Sequence, residues 1–352
     1  MEQQTDVVVI GAGPVGLFAV FQCGMQGLQC HVIDSLEMIG GQCTALYPEK
    51  PIYDIPAYPT IEAAELIARL EEQAAVFQPT YHLSEQVVGL ERLENGRLRL
   101  TTSKKTIIEA GAVIIAAGVG AFGPNRPPLE NIEAYEGHSV FYMVKQRQDF
   151  AGKKLVIAGG GDSAVDWAIS LSALAEEVML VHRRDKFRAA PESVYQLNAL
   201  VKQGKIRLVT PCQLHGLTGE NGQLQTVEVA DMDGNITSLA ADILLPFFGL
   251  SMNLGPILEW DLALEKNHIA VQQASCQTNI TGVYAVGDIA HYEGKLKLIL
   301  TGFAEAASAA HAIYGFLCPN HIRHFEYSTS KGVPGFNGAA GDDNQKTTAQ
   351  AA

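Results

Sequence analysis

Between Asp6 and Asp34 the chain carries a pattern that few folds accept. Asp6-Val7-Val8-Val9-Ile10 is a β-branched strand, and it runs directly into the turn Gly11-Ala12-Gly13-Pro14-Val15-Gly16. An amphipathic helical stretch follows, and then a second strand, Cys30-His31-Val32-Ile33, that ends on Asp34. Each piece has a physical task. Gly11 permits a sharp turn, Gly13 lets backbone approach a pyrophosphate, and Gly16 lets the helix pack close to the strand. The first N–H groups of the helix and the positive end of its dipole favour phosphate. Asp34 lies about 20 residues past Gly13, where a carboxylate can accept hydrogen bonds from ribose hydroxyls. The stretch therefore predicts a dinucleotide-binding α/β unit.

The same pattern returns later. Lys154-Leu155-Val156-Ile157-Ala158 enters Gly159-Gly160-Gly161-Asp162-Ser163-Ala164 and a helix, and Val178-Met179-Leu180-Val181 is the next strand. It ends in His182-Arg183-Arg184-Asp185-Lys186-Phe187-Arg188, with Arg183 read as the counterpart of Asp34. Two such units with opposite charge at the strand tip imply two different nucleotides. Asp34 suits an unphosphorylated ribose, as in FAD, and repels a 2′-phosphate. Arg183, Arg184 and Arg188 suit the 2′-phosphate of NADP through charge-assisted, bidentate bonds.

Between and around these units, Ser35–Thr60 is a long Pro- and Tyr-rich loop, the length at which a loop is usually functional. A helix is expected over 61–76, and a small meander at Val87–Leu90, Leu98–Thr102 and Lys105–Glu109. Ala112–Gly118 reads as a separate buried strand, Val119–Pro128 as a linker, Gly282–Asp288 as a strand, and Gly302–Leu317 as a helix. The fold class is α/β, with two Rossmann-like, three-layer domains. Residues 1–120 and 247–335 form a discontinuous FAD domain, and 121–246 an inserted NADP domain. The linkers near 118–128 and 246–255 are the expected pivot between them. Residues 338–352 lack periodicity and are read as disordered.

Charge and cysteines exclude several classes. The formal charge is −13 over 352 residues, which disfavours nucleic acid and anionic membranes as partners. No run approaches the roughly 20 apolar residues of a membrane span, and the first residues lack the basic region of a signal peptide, so a cytoplasmic location is expected. The six cysteines include no Cys-x-x-Cys pair, which argues against a structural zinc site and a thioredoxin-type redox dithiol, and no metal site is expected.

Four motifs carry a family resemblance: Gly11–Gly16; Gly40–Lys50, with its Ala45-Leu46-Tyr47-Pro48-Glu49-Lys50; Gly159–Trp167 with His182–Ala189; and Gly287-Asp288. Together they resemble the pyridine-nucleotide disulfide reductase superfamily, and within it the ferredoxin–NADP(+) reductases of the thioredoxin-reductase-like type. The resemblance implies that Gly11, Gly13, Gly16 and Asp34 hold FAD, with Asp34 on the adenosine ribose. It implies Gln42 on the flavin side, Tyr47 stacked on one flavin face, Val87 offering backbone to the adenine and Phe122 packing along the cofactor. Asp288 would bond the ribityl chain. A C-terminal extension with Tyr327, Ser328 and Thr329 would cover the other flavin face, reaching across a homodimer, with Phe325 and Phe336 as competing aromatics. Gly159, Gly161, Asp162, Ser163, Ala164, His182, Arg183, Arg184 and Arg188 would hold NADP(H).

The implied reaction is hydride transfer from NADPH to FAD, then single electrons to ferredoxin or flavodoxin. The flavin carries the chemistry, and no catalytic side chain is expected. The alternatives are an NADPH-dependent disulfide or thiol-linked reductase without its own dithiol, a flavin monooxygenase, and a redox-sensing binding protein. Because ferredoxins are acidic, docking on so negative a chain calls for a local basic face, with Lys50, Lys295, Lys297 and Lys331 as candidates.

Overall fold

The apolar run at Asp6–Ile10 lies inside strand β1 (Gln3–Ile10), at the centre of a seven-stranded sheet. Val7, Val8 and Val9 are fully buried, as expected when both faces of a parallel strand are covered. The computed structural model describes residues 3–320 and 332–333. β1 pairs in parallel with β2 (Cys30–Asp34) on one side and with Ile107–Ile115 on the other. Thr80–Leu83 pairs with the outer edge of β2, and Val283–Ala285 with the far side of Ile107–Ile115. Helix α1 (Pro14–Met25) and helix Ile299–Leu317 pack on this sheet through small residues, Ala19, Cys23, Ala306, Ala309 and Ala310 among them.

One expected boundary is wrong. The predicted short strand at Lys105–Glu109 and the predicted strand from Ala112 are a single strand, Ile107–Ile115. Its first half pairs antiparallel with Leu98–Thr102 and its second half in parallel with Val283–Ala285. Gly111 lies between the two expected segments. It is a close approach, because a Cβ there would lie 2.8 Å from Leu317 Cδ2 and 3.1 Å from the Asp6 carbonyl. Likewise the expected helix at 61–76 begins at Ala63, since Ile61–Glu62 pairs with Pro51–Ile52.

The second compact unit is built on β3 (Lys154–Ala158), helix α2 (Asp162–Leu171) and β4 (Glu177–Val181). Ile243–Pro246 flanks β3 and Arg207–Val209 flanks β4, all in parallel. A three-stranded antiparallel sheet, Cys212–Glu220, Gln223–Asp231 and Ile236–Ala240, completes it. The two linker segments pair with each other, Ala121–Pro124 antiparallel to Leu250–Asn253. By contacts, the first unit comprises residues up to Ile39, Ile67–Gly118 and the chain from Pro256 on; the second comprises Gly40–Leu66 and Val119–Gly255. No described helix is long and apolar enough to cross a membrane, and no metal-ligating cluster occurs among the described residues.

Candidate functional site

The two glycine turns share one wiring scheme. In the first unit the Gly11 N–H donates to the Ile33 carbonyl at 2.8 Å, and in the second the Gly159 N–H donates to the Val181 carbonyl at 3.0 Å. Both glycines have left-handed φ, +108° and +153°. A Cβ on Gly16 would run into the Gly11 carbonyl, so α1 sits directly on the turn. Gly13, the residue before α1, faces open space, and so does Gly161 before α2. Each turn therefore leaves one bare backbone face beside a helix N-terminus, which is the room that a pyrophosphate needs.

At the tip of β2, Asp34 is 9% exposed, and both of its oxygens are engaged. The Ala12 N–H donates to Oδ2 at 2.6 Å and the Leu36 N–H to Oδ1 at 2.8 Å. Burial pushes its carboxyl above the ordinary range, and the two backbone donors pull the other way. α1 has no acidic residue in its first turn, so its positive end is uncompensated. Val87 is buried at the start of Val87–Arg92. Asp288 is half-buried in the single turn Gly287–Ile289, whose N-cap is Val286, and among the described residues it makes no hydrogen bond.

In the second unit the register corrects the sequence reading. Ala158 pairs with Val181 as Ile10 pairs with Ile33, so the residue in Asp34's position is His182 rather than Arg183. The imidazole is 8% exposed, and its Nε2 has no hydrogen-bond partner. Its ring lies against Gly160, where any Cβ would run into it, and stacks on Phe187 with centroids 5.2 Å apart. Burial lowers its basicity, and the charges of Arg183, Arg188 and Arg184 add to that, against a backbone hydrogen bond at Lys186.

The arginine loop is tied to the glycine turn. The Arg188 N–H donates to the Gly160 carbonyl at 2.7 Å, and the Ala190 N–H donates to Asp162 Oδ1 at 2.8 Å. Arg183, Arg184 and Arg188 are exposed, and none forms an ion pair among the described residues. Ser163 is exposed and Ala164 buried in the first turn of α2. A cavity of about 640 Å³ opens here, lined by Gly160, Gly161, His182, Arg183, Arg188 and Cys212 among others. Bare glycine backbone and the unneutralised guanidinium groups of Arg183 and Arg188, lining one cavity, fit an anionic, phosphate-bearing nucleotide.

Other expected residues fall elsewhere. Gln42 opens the one-turn helix Gln42–Ala45, and Tyr47 packs against the second unit's core, 5.8 Å from the Lys50 ammonium. Glu49 accepts the Arg147 N–H at 2.8 Å, and Lys50 pairs with Asp166 at 3.2 Å, so this segment is anchored within the second unit. Phe122 lies in the paired linker strand, opposite Met252. Tyr327, Ser328, Thr329, Phe325, Phe336 and Lys331 lie outside the described residues.

The other candidates for a basic face differ in their surroundings. Lys50 is paired, Lys297 contacts His268, and the Lys295 side chain is only 3% exposed, against Glu305. Sequence reasoning missed that last pair. Its signal was present, since Glu305 is the one Asp, Glu, Lys or Arg in the apolar helix Ile299–Leu317.

The sequence model of the family described as pyridine nucleotide-disulphide oxidoreductase matches residues 5–311. The chain belongs to this family. It is 63% identical over 335 residues to the ferredoxin–NADP reductase of Rhodospirillum rubrum, covering 94% of this chain and 97% of that one. It is 60% identical over 331 residues to that of Rickettsia felis, covering 94% and 98%. The thioredoxin reductase of Lactococcus lactis, solved in its FR conformation, matches with a TM-score of 0.78 at 25% identity, over 90% of this chain and 99% of that one. The fold is thus thioredoxin-reductase-like, with the two-domain dinucleotide-binding architecture of the family, and the chain is an oxidoreductase. It departs from a dithiol enzyme in its cysteines, no two of which have Cys-x-x-Cys spacing.

Proposed function

We propose that this oxidoreductase takes hydride from NADPH onto a bound FAD and delivers single electrons to ferredoxin or flavodoxin, in either direction. The observation that carries the reading is the unneutralised Arg183, Arg184 and Arg188 on a loop bonded to the second glycine turn, set against the carboxylate of Asp34 at the first. The names of the R. rubrum and R. felis relatives support it, as does the missing Cys-x-x-Cys.

When bound, the flavin supplies the exchange between a two-electron donor and one-electron carriers. The chain's residues do the rest. Gly11, Gly13 and Gly16 shape the first cradle, α1 directs its N–H groups at the pyrophosphate, and Asp34 takes the adenosine ribose. Val87 offers backbone to the adenine and Asp288 takes the ribityl chain. Gln42, Phe122 and Thr329 complete the flavin's surroundings, with Tyr47 and Tyr327 on its two faces and Ser328 nearby. The second cradle, with Asp162, Ser163 and Ala164 in its first helical turn, orients NADPH, and His182 closes the strand tip without adding charge. In this reading residues 1–120 and 247–335 form the FAD domain, 121–246 the NADP domain, and the protein works as a homodimer.

The test is direct. The purified protein should be yellow, NADPH should bleach it, and cytochrome reduction by NADPH should rise when ferredoxin or flavodoxin is added. NADH should be at least roughly 100-fold poorer in kcat/KM, the effect of two charge-assisted bonds. A colourless protein, equal use of NADH, or turnover with thioredoxin and a chromogenic disulfide but not with a carrier protein would overturn the reading. NADPH-dependent hydroxylation of an organic substrate would assign the chain to the monooxygenases.

A further inference from the structure

Helix Ile299–Leu317 buries a carboxylate. The side chains of Glu305 and Lys295 are 4% and 3% exposed and form an ion pair. A pair removed from water is tolerated only when its remaining hydrogen-bonding capacity is met. Here the partners converge on one residue. The Gly287 N–H donates to Glu305 Oε2 at 2.7 Å, and Lys295 Nζ donates to the Gly287 carbonyl at 3.0 Å. The Tyr292 hydroxyl donates to Glu305 Oε1 at 2.7 Å, and the Lys295 ammonium stands 5.3 Å from the Tyr292 ring centroid. Both polar groups of the Gly287 backbone are therefore held by buried, oppositely charged side chains.

The packing around this clamp leads back to the first cradle. Gly287 has φ +75°, and a Cβ on it would stand 3.4 Å from a Val15 methyl carbon, Val15 being in the first turn of α1. A Cβ on Gly302, one turn before Glu305, would run into that same methyl. The residue so oriented is Asp288, half-buried and without a hydrogen bond among the described residues. Apolar side chains could grip neither the Gly287 N–H nor its carbonyl.

We propose that Lys295 and Glu305 are a positioning pair that sets the Gly287 peptides and so aims the Asp288 carboxylate at the bound flavin nucleotide. This rests on the reading that FAD occupies the first cradle with its ribityl chain at Asp288. The pair makes no contact with reacting atoms. It acts through the direction of one neighbouring carboxylate.

A double-mutant cycle in flavin affinity tests it. The purified holoprotein is stripped of flavin, and the dissociation constant for added FAD is measured for the wild type, Lys295→Met/Glu305→Leu, Asp288→Asn and the three changes combined. Thermal midpoints of the stripped proteins and visible spectra of the reloaded ones are recorded alongside. The charge-free pair should weaken FAD binding about tenfold or more, and the combined variant should lose little beyond Asp288→Asn alone, because both act through one carboxylate. The stripped charge-free variant should melt a few degrees below the wild type, because the Gly287 N–H and carbonyl lose their partners while the desolvation cost of the charges is relieved. Glu305→Gln, which keeps an acceptor for the Gly287 N–H, should fall between wild type and the charge-free variant, and serves if the latter does not fold.

Unchanged FAD affinity in the charge-free variant, or a loss that adds fully to that of Asp288→Asn, would overturn the proposal while leaving the flavin reading intact. A wild type that takes up no FAD would instead overturn the flavin reading, and the proposal with it.

Discussion

The two strand–turn–helix units use one backbone device and close it in opposite ways. In the first, a carboxylate ends β2 and turns back on its own turn, accepting the Ala12 N–H. In the second, an imidazole ends β4, and the residue matching Ala12 is Gly160, whose bare face carries the ring. Asp34 is small enough to coexist with an alanine. His182 is not, and the extra glycine makes room for it. Charge differs as well as shape. α1 has no acidic residue in its first turn, whereas α2 has Asp162, which is occupied in holding the Ala190 N–H. The first unit's charge is buried and bonded to backbone, and the second's is displayed on a loop. On the proposed reading, phosphate recognition belongs to the shared turn, and nucleotide choice to the strand tip and the loop leaving it.

The contrast can be tested where it is largest. Removing the displayed charge with Arg183→Ala/Arg188→Ala should reduce kcat/KM for NADPH by roughly 10²- to 10⁴-fold, as two charge-assisted bonds of about 1.5–3 kcal/mol each are lost. The rate with NADH should barely change, and steady-state kinetics with both donors would show whether the preference collapses. An equal fall with NADH would mean that the arginines hold the loop rather than read the 2′-phosphate.

Neutralising the buried charge should have a smaller effect. Asp34→Asn keeps one acceptor, so FAD affinity measured by titration of stripped protein should fall roughly 10- to 100-fold, one charge-assisted contact being weakened. Stability should change little. Burial already works against the ionised carboxyl, and relief of that cost offsets the bond that either the Ala12 or the Leu36 N–H loses to an amide with a single acceptor. Retention of wild-type affinity would show that Asp34 serves only its own turn.

The smallest effect concerns His182, whose basicity is lowered from 6.5 mainly by burial. As pH falls through that value the unfolded chain takes up the proton before the folded one does. The stability tied to the neutral ring is therefore intact above about pH 6.5 and lost below it. Between pH 7.5 and 5.5 the melting midpoint should drop by a few degrees more in the wild type than in His182→Gln. Parallel curves would show that the ring's surroundings accept the charge.

Read as a sequence, the chain declares its cradles because their signals are local. A β-branched run, glycines at fixed offsets and a charged strand tip lie within about 30 residues of one another, and backbone sterics make them mean one thing. The exchange of Asp34 for His182 was legible too, by counting from Gly13 and Gly161, but the adjacent arginines drew the assignment one residue too far. Tertiary structure alone decided the rest. The strand through Gly111 reads as two until Leu317 and the Asp6 carbonyl are seen beside that glycine. Lys295 reads as a surface cation until Glu305, in the helix that follows it, folds back and removes it from water. Tyr47 stands in a loop whose anchors, Arg147 and Asp166, are far along the chain. Strand length and burial of charge depend on which remote side chains arrive, and short-range pattern holds no record of that. Turn geometry depends on the residues at hand, and so the sequence could state it alone.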